Sequence, residues 1–220
     1  DGKLVEARNL DWAQGGARDL DKFSTVFVVK PDEGHSFVSV LYPGLVGALT
    51  AVNDAKITVE LNFSMAKENG EAGMPGIIML RKVLQYADSL EEAENILRDA
   101  EKFAGYNITV TDGKTNDARL FEVAHGKLGT VDLAANTLVS TNHFISEELA
   151  GANVEASSFS SAPSQDRFDR LTELLELNFG QINPAKAIEM IHDGQVKVGG
   201  TVQTVIFKPA DEKIWVWARN

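Results

Sequence analysis

The sequence predicts an α+β fold in which antiparallel sheets carry helices on their outer faces. Three observations lead to this class: β-rich runs fill the first part of the chain, two helical segments follow, and the order of strands and then helices repeats before a closing pair of strands. A parallel sheet would instead show strict alternation of strand and helix. No internal repeat and no linker divides the 220 residues, which predicts a single domain spanning 1–220.

Strands dominate the first part of the chain. Residues 3–8 alternate as a strand does, whereas the Asn-Leu-Asp-Trp segment at 9–12 interrupts the alternation. The dipeptide Asn53-Asp54 predicts the turn of a hairpin between two later runs. The predicted strands of this part lie at 3–8, 24–30, 36–42, 46–52 and 56–63.

Two pairs of helices are predicted from apolar residues at helical spacing. In the first pair, one helix begins after Gly76 and the next has a capping box made by Ser89 and Glu92. In the second pair, the last helix has Asn183 as its N-cap. The remaining predicted elements are strands at 106–111, 118–124, 127–132, 137–141, 202–207 and 213–218, and a serine-rich loop at 156–164.

Composition argues against several classes of protein. The net charge of −11 and a pI near 4.8 disfavour nucleic-acid binding, which needs clustered lysine and arginine. No apolar run approaches the roughly 18 residues of a membrane span, so we expect no membrane partner. Cysteine is absent and the four histidines are scattered, so we expect no disulfide, no metal site and no cofactor. The cellular compartment stays undetermined.

The Arg-Asn-Leu-Asp-Trp segment at 8–12 is the strongest local signal for a functional site. Polar residues around one leucine at a strand end would bring Arg8 and Asp11 close enough to share a site. The alternative is an exposed turn with a surface ion pair, which would contribute less than about 1 kcal/mol.

Two asparagines and a second arginine complete the candidate residues. Asn62 lies inside a β run, where asparagine is disfavoured, and Asn142 lies where a strand meets a loop. The amide of Asn62 could donate to an oxyanion and that of Asn142 to a bound carbonyl, while a loop cap for the first and an Asx-turn for the second are the alternatives. Arg167 lies in the first turn of a helix, where the dipole disfavours a cation, so it suggests a specific partner, which Asp166 could supply. His143 is a candidate base, but no Gly-x-Ser-x-Gly elbow accompanies it, which disfavours a serine hydrolase.

Taken in chain order, these segments resemble the choloylglycine hydrolase and penicillin V acylase group. The matching segments are Arg-Asn-Leu-Asp-Trp at 8–12, the hairpin with Asn53, Leu-Asn-Phe at 61–63, Thr-Asn at 141–142 and Arg-Phe at 167–168. Gly-Met-Pro at 73–75 and Thr-Asn-His-Phe at 141–144 look closer to the acyl-CoA:6-aminopenicillanic acid acyltransferase branch, the C45 peptidases. The resemblance covers nearly the whole chain.

This resemblance implies a four-layer αββα sandwich and the chemistry of N-terminal-nucleophile hydrolases. In such enzymes the thiol of an N-terminal cysteine attacks an amide or thioester carbonyl, and the α-amine of the same residue takes the proton. By resemblance, Arg8 favours the ionised thiol and Asp11 orients the α-amine. Asn62 and Asn142 would bind the oxyanion and position the amine. Arg167 would brace the surroundings of the nucleophile.

The chain departs from the family pattern at the nucleophile. The family's cysteine lies upstream of the position that matches Asp1, and this sequence contains no cysteine. We expect a first strand, paired with residues 3–8, to precede this sequence. The prediction is an amidohydrolase or acyltransferase acting on a small N-acyl compound, and the rival is an inactive relative that binds an acylated ligand or a partner protein. Members of the family commonly self-associate, which leaves a homo-oligomer open.

Overall fold

The computed structural model describes residues 2–12, 20–154 and 163–218. Within these residues the chain forms ten β-strands and four α-helices. The strands are β1 (Glu6–Asp11), β2 (Thr25–Val29), β3 (Phe37–Leu41), β4 (Thr50–Asn53), β5 (Ile57–Phe63), β6 (Tyr106–Asp112), β7 (Asp117–Ala124), β8 (Lys127–Asp132), β9 (Thr201–Lys208) and β10 (Lys213–Ala218). The helices are α1 (Gly76–Tyr86), α2 (Leu90–Asp99), α3 (Ser164–Leu177) and α4 (Pro184–Ile191). None of the helices in these ranges is long and apolar enough to cross a membrane.

The larger sheet contains seven strands in the order β2-β3-β4-β5-β6-β7-β8. Each strand is antiparallel to its neighbours. Neighbours in the sheet are also neighbours in the sequence, which short connections between antiparallel strands allow. The exception in length is the connection from β5 to β6, which contains α1 and α2. This order places β5, the strand that carries Asn62, at the centre of the sheet.

The smaller sheet contains three strands in the order β1-β9-β10. β1 is antiparallel to β9, with Arg8 opposite Val205, and the register shifts between Leu10 and Asp11. This irregularity lets β1 continue through Asp11, although the sequence pattern predicted an interruption after Arg8. In the described part of the chain β1 has a partner strand on one side only.

The two sheets stack face to face, with a pair of helices on each outer side. α1 contacts β4 and β5, and α2 contacts β6 and β7. On the opposite side α4 contacts β1 and β9, and α3 packs on α4. Between the sheets Val40 lies in one apolar cluster with Val205 and Phe207. The expected four-layer αββα sandwich with antiparallel sheets is confirmed.

The side chains predicted to cap helices do so. Ser89 Oγ accepts a hydrogen bond from Glu92 N at 3.2 Å, and Glu92 Oε2 accepts one from Asp88 N at 2.8 Å. Asn183 Oδ1 accepts one from Lys186 N at 3.0 Å. These bonds satisfy backbone donors that a helix N-terminus leaves free.

Asn53, predicted at a hairpin turn, also ends helix α1. Its buried side chain donates through Nδ2 to Leu84 O and Ala87 O, both at 2.9 Å, and accepts from Ile57 N at 2.8 Å. The turn itself contains Lys56 with a φ of 65°. One amide group therefore fastens the last turn of α1 to the β4–β5 hairpin.

The prediction of a strand at 137–141 is wrong. One isolated bridge joins Ala134 and Thr137, and no ladder follows. The segment lines a cavity, and the carbonyl of Thr141 accepts a hydrogen bond from Asn107 Nδ2 at 3.2 Å instead of from a neighbouring strand. The β-rich pattern reflected apolar residues that line this cavity.

Two further boundaries differ from prediction. The strand predicted at 46–52 begins at Thr50, because the residues before it turn beneath α1, where Ala48 N donates to Ile77 O at 2.9 Å. Ser164, predicted as the end of a loop, is the first residue of α3. The rest of that predicted loop, residues 156–162, lies outside the described residues.

Candidate active site

A cavity of about 1100 Å³ follows β1 from Gly2 to Trp12. Its walls come from both sheets, from α3 and α4, and from the 136–142 segment. All five residues predicted for the site line this one cavity, although they come from separate parts of the chain: Arg8, Asp11, Asn62, Asn142 and Arg167.

Arg8 is buried between the two sheets. Its Nη1 donates to Thr50 Oγ1 and its Nη2 donates to Leu61 O at 2.5 Å. The alternation of β1 directs it toward the larger sheet, so the alternative of an exposed turn does not apply here. Burial lowers the pKa of Arg8, and the carboxylates of Glu60 and Asp11 oppose that shift. Its Nε has no hydrogen-bond partner within the described residues.

Asp11, Arg167 and Asn142 form a hydrogen-bonded and ionic series that we call the relay. Asp11 Oδ1 accepts from Thr201 Oγ1 at 2.6 Å, and its Oδ2 lies 3.7 Å from Arg167 Nη1. Arg167 Nη2 donates to Asn142 Oδ1 at 2.7 Å, and Asn142 Nδ2 donates to Phe63 O at 2.8 Å. The relay therefore connects β9 and β1 of the smaller sheet, through α3, to β5 of the larger sheet.

The electrostatics of the relay reflect its burial. Burial raises the pKa of Asp11, while the hydrogen bond from Thr201 and the charge of Arg167 lower it. Burial likewise lowers the pKa of Arg167, and the Asp11 carboxylate opposes that shift. The specific partner that the position of Arg167 suggested is thus Asp11 together with Asn142, and the Asx-turn alternative for Asn142 does not describe its contacts.

Asn62 lies one residue before the end of β5, opposite Asn107 in the sheet register. Its side chain is half-buried and lines the cavity on the same strand as Leu61, whose carbonyl accepts from Arg8. An amide at this position adds donors to the same cavity that the guanidinium of Arg8 lines. Its role in binding an oxyanion stays a prediction.

Sequence reasoning did not select Glu6 and Glu60, which lie in the same cavity. Glu6 Oε2 accepts from Thr58 Oγ1 and, at 3.3 Å, from Thr111 Oγ1. Burial raises the pKa of Glu6 to about 7, against the lowering effect of these hydrogen bonds. The sequence contains a signal that could have identified them, since each is an acidic residue inside a β run. Glu6 lies between Val5 and Ala7, and Glu60 lies between Val59 and Leu61.

Glu60 resembles Glu6 in that its carboxyl pKa is also raised. Burial raises the pKa of Glu60 well above its ordinary value, and the neighbouring Glu6 carboxyl adds to that increase through its charge and a hydrogen bond. Oε1 of each carboxyl is buried and has no hydrogen-bond partner in the described part of the molecule. Two carboxyl groups this close favour a state that holds a proton between them.

His143, considered as a base, contacts Ser164, which sequence reasoning placed in a loop. His143 Nδ1 lies 2.7 Å from Ser164 Oγ and 3.1 Å from Thr141 Oγ1. Burial lowers the pKa of His143, against the opposing charge of Glu122. No pattern in the sequence indicates this contact, because 21 residues separate the two partners.

No group of three or more His, Cys, Asp or Glu residues within 2–12, 20–154 and 163–218 could hold a metal ion. The chemistry available in the cavity includes the guanidinium groups of Arg8 and Arg167 and the side-chain amides of Asn62 and Asn142, beside carboxylates. Guanidinium and amide donors stabilise negative charge that develops on a substrate oxygen. The arrangement therefore suits reactions that pass through an oxyanion.

Comparison with known proteins identifies the class and then the family. The structure matches an N-acylethanolamine-hydrolyzing acid amidase ortholog from Caenorhabditis elegans with a TM-score of 0.71 at 16% identity, covering 98% of this chain and 95% of that chain. It also matches a mutant of the conjugated bile acid hydrolase from Clostridium perfringens with a TM-score of 0.67 at 12% identity. This match covers 99% of this chain and 89% of that chain. The fold is that of the N-terminal-nucleophile hydrolases.

The chain belongs to the acyl-coenzyme A:6-aminopenicillanic acid acyl-transferase family, whose model matches residues 1–220. It is also similar to an uncharacterized protein from Archaeoglobus fulgidus, at 27% identity over 184 residues. That match covers 73% of this chain and 30% of the relative. The chain thus spans about a third of the length of this curated relative.

Proposed function

We propose that this chain is the body of an amidohydrolase or acyltransferase that acts on a small N-acyl compound. Family membership and the amidase and hydrolase folds of its structural neighbours support an acyl-transfer type of chemistry. The observation that carries the proposal is the convergence of Arg8, Asp11, Asn62, Asn142 and Arg167 on one cavity. A chance set of motif matches scattered over 160 positions would have no reason to meet in space.

In the proposed reaction a nucleophile attacks the acyl carbonyl and forms a tetrahedral oxyanion. Asn62 and Asn142 donate hydrogen bonds to that oxyanion, and Arg8 favours the ionised nucleophile. The α-amine of the nucleophilic residue takes the proton, since a free α-amine titrates at about 7.7 to 8.0. Asp11 accepts from this amine and orients it. The protonated α-amine passes this proton to the leaving amine, which departs, and water or a second amine then accepts the acyl group.

We further propose that the nucleophile lies in a segment that precedes residue 1 and pairs with β1. Two observations support this arrangement: β1 has a strand on one side only in the described part of the chain, and the cavity follows β1 along residues 2–12. An unpaired strand edge beside a cavity can accept another strand, whose backbone would complete the hydrogen bonding of β1.

The test begins with the protein expressed from its complete reading frame. Intact mass and N-terminal sequencing determine whether the mature chain begins with cysteine, and a panel of N-acyl amides and acyl thioesters then measures kcat/KM. The double variant Arg8→Met, Asp11→Asn should lose on the order of a hundredfold or more in kcat/KM, because both groups act on the nucleophile. Unchanged activity in this double variant would rule out the proposed site.

A matched control is the pair Arg170→Met, Asp193→Asn. These residues form an ion pair at 2.7 Å between α3 and the end of α4, outside the cavity wall. The control should retain activity while losing the same types of charge. A mature chain with no cysteine, serine or threonine at its start would instead support the rival function, a binding protein for an acylated ligand, to be measured by ligand-induced thermal shifts.

A further inference from the structure

The segment Thr141–Asn142–His143, which we call the 141–143 turn, has no regular secondary structure, yet its polar groups are held by side chains. Asn142 N donates to Ser164 Oγ at 2.8 Å. Asn107 Nδ2 donates to His143 O at 2.7 Å and to Thr141 O at 3.2 Å. The turn is therefore hydrogen-bonded to Ser164 of α3 and to Asn107 of β6.

The hydroxyl of Ser164 has no capacity left for further hydrogen bonding. A serine hydroxyl offers one donor and two acceptor positions. One acceptor position takes the N–H of Asn142, and the other two positions serve Thr141 Oγ1 at 2.9 Å and His143 Nδ1 at 2.7 Å. A hydroxyl engaged in this way is a structural tie between three consecutive residues, and it is poorly disposed to act as a nucleophile beside His143.

Ser164 and Arg167 are three residues apart on α3, so they lie on the same face of the helix. Ser164 holds the backbone of Asn142, while Arg167 holds its side-chain Oδ1 at 2.7 Å. Asn142 Nδ2 in turn reaches Phe63 O at 2.8 Å. One turn of α3 therefore fixes both the position of the Asn142 backbone and the direction of its amide.

We propose that Ser164, together with Asn107, is a positioning residue of the active site, which holds the 141–143 turn so that the amide of Asn142 points into the cavity. This inference rests on the proposed function of the site. Without the Ser164 hydroxyl, the backbone N–H of Asn142 loses its partner and the turn gains freedom. The Asn142 amide then occupies its productive orientation for a smaller part of the time.

The kinetic test compares Ser164→Ala with Ser164→Thr in the full-length enzyme. Ser164→Ala should lower kcat by up to about a hundredfold, the loss that a displacement of a site group by about 1 Å can cause. KM should change much less, because Asn142 is proposed to act on the transition state. Ser164→Thr retains the hydroxyl and should restore most of kcat. Equal losses in the two variants would overturn the proposal.

A double variant tests whether Ser164 acts through Asn142. In the background of Asn142→Ala, removal of the Ser164 hydroxyl should produce no further fall in kcat, since the group that it positions is already absent. Multiplicative losses would instead show an independent role and would contradict the proposal. The matched control is Ser89→Ala, which removes a hydroxyl bond at 3.2 Å from the start of α2 and should leave kcat unchanged.

A readout without activity separates this inference from the proposed function. In the NMR spectrum of the protein, the side-chain amide signals of Asn142 are assigned by their absence in Asn142→Ala. Ser164→Ala and Asn107→Ala should each shift or broaden these signals, and Ser89→Ala should not. Unchanged Asn142 signals in folded Ser164→Ala would overturn the positioning role. Shifted signals in a protein that transfers no acyl group would support the positioning role and reject the proposed function.

Discussion

At the scale of single residues, Arg167 is the central member of the relay, because it contacts both Asp11 and Asn142. Its guanidinium is buried, donates to Asn142 Oδ1 at 2.7 Å and lies 3.7 Å from Asp11 Oδ2. The planar guanidinium has donors at fixed angles and can therefore bind two partners at once in defined directions. A lysine ammonium is a compact point charge and is less suited to this geometry. The cost of a cation in the first turn of α3 is thereby offset by contacts from other elements.

Replacement of Arg167 should change the titration of Asp11. Burial already raises the pKa of Asp11, and Arg167 is one of the groups that lower it. In Arg167→Met we therefore expect the pKa of Asp11 to rise further, measured by a carboxyl ¹³C NMR titration with Asp11 assigned through Asp11→Asn.

The control for this titration is Arg170→Met on the next turn of α3. Arg170 pairs with Glu173 and Asp193, each at 2.7 Å, and has no contact with Asp11 among the described residues. Its loss should leave the pKa of Asp11 unchanged. An Asp11 titration that stayed the same in Arg167→Met would mean that the two side chains do not interact electrostatically in solution.

The residues of the candidate site were accessible from sequence in part. Arg8, Asp11, Asn62, Asn142 and Arg167 could be selected because each departs from a local pattern of strand or helix and because their order resembles a family. Their convergence in space was not derivable from the pattern itself, since it depends on which sheet faces β1. Contacts such as that of Ser164 with the 141–143 turn join positions more than 20 residues apart, and no local propensity reports them.

At the scale of elements, α1 depends on the side chain of Asn53. This amide satisfies two helix carbonyls and one strand N–H. Asn53→Ala should lower the free energy of unfolding by about 2 to 4 kcal/mol, because three buried backbone groups lose their partner. Urea denaturation followed by circular dichroism measures this change.

A suitable comparison for Asn53 is Asn183, which caps the exposed start of α4 through a single bond to Lys186 N at 3.0 Å. Asn183→Ala should cost about 1 kcal/mol, the usual value of an N-cap. If the two substitutions had equal effects, the buried contacts of Asn53 would not contribute as described.

Elements with local signals were predicted well, and those shaped by distant contacts were not. The capping box at Ser89 and the N-cap at Asn183 lie within four residues of their partners, so the sequence contains the whole signal. The 137–141 segment has a β-rich pattern but no strand, because the carbonyl of Thr141 bonds to Asn107. Similarly, β1 continues to Asp11 because pairing with β9 tolerates a register shift, which local propensity does not encode.

At the scale of the whole molecule, two carboxyl groups lie at the interface of the sheets. The pKa of Glu6 is raised by burial to about 7 from an ordinary value of 4.5. Folding therefore favours its protonated form, and the associated stability is fully present below about pH 4.5 and is lost as pH rises through about 7. The pKa of Glu60 is also raised, by burial and by Glu6. Its contribution to stability therefore also decreases as pH rises.

Stability should accordingly decrease from acidic to neutral pH. Over this window the free energy of unfolding should fall on the order of 3 kcal/mol for Glu6. Glu6→Gln cannot ionise and should reduce the fall, as measured by urea denaturation at about pH 5 and about pH 8. The exposed Glu68→Gln should leave the pH dependence as in the parent protein. If the free energy of unfolding of Glu6→Gln fell as steeply with pH as that of the parent protein, the pH dependence would arise from other groups.

The relay also limits how the protein can change over generations. Each member contacts the next, so a substitution at one position removes a hydrogen-bond or ionic partner from its neighbour. A substitution of Arg167 therefore affects Asn142 and Asp11 together. At apolar lining residues outside the relay, such as Leu138 and Val139, a change of side-chain volume alters the shape of the cavity and leaves the charged groups in place.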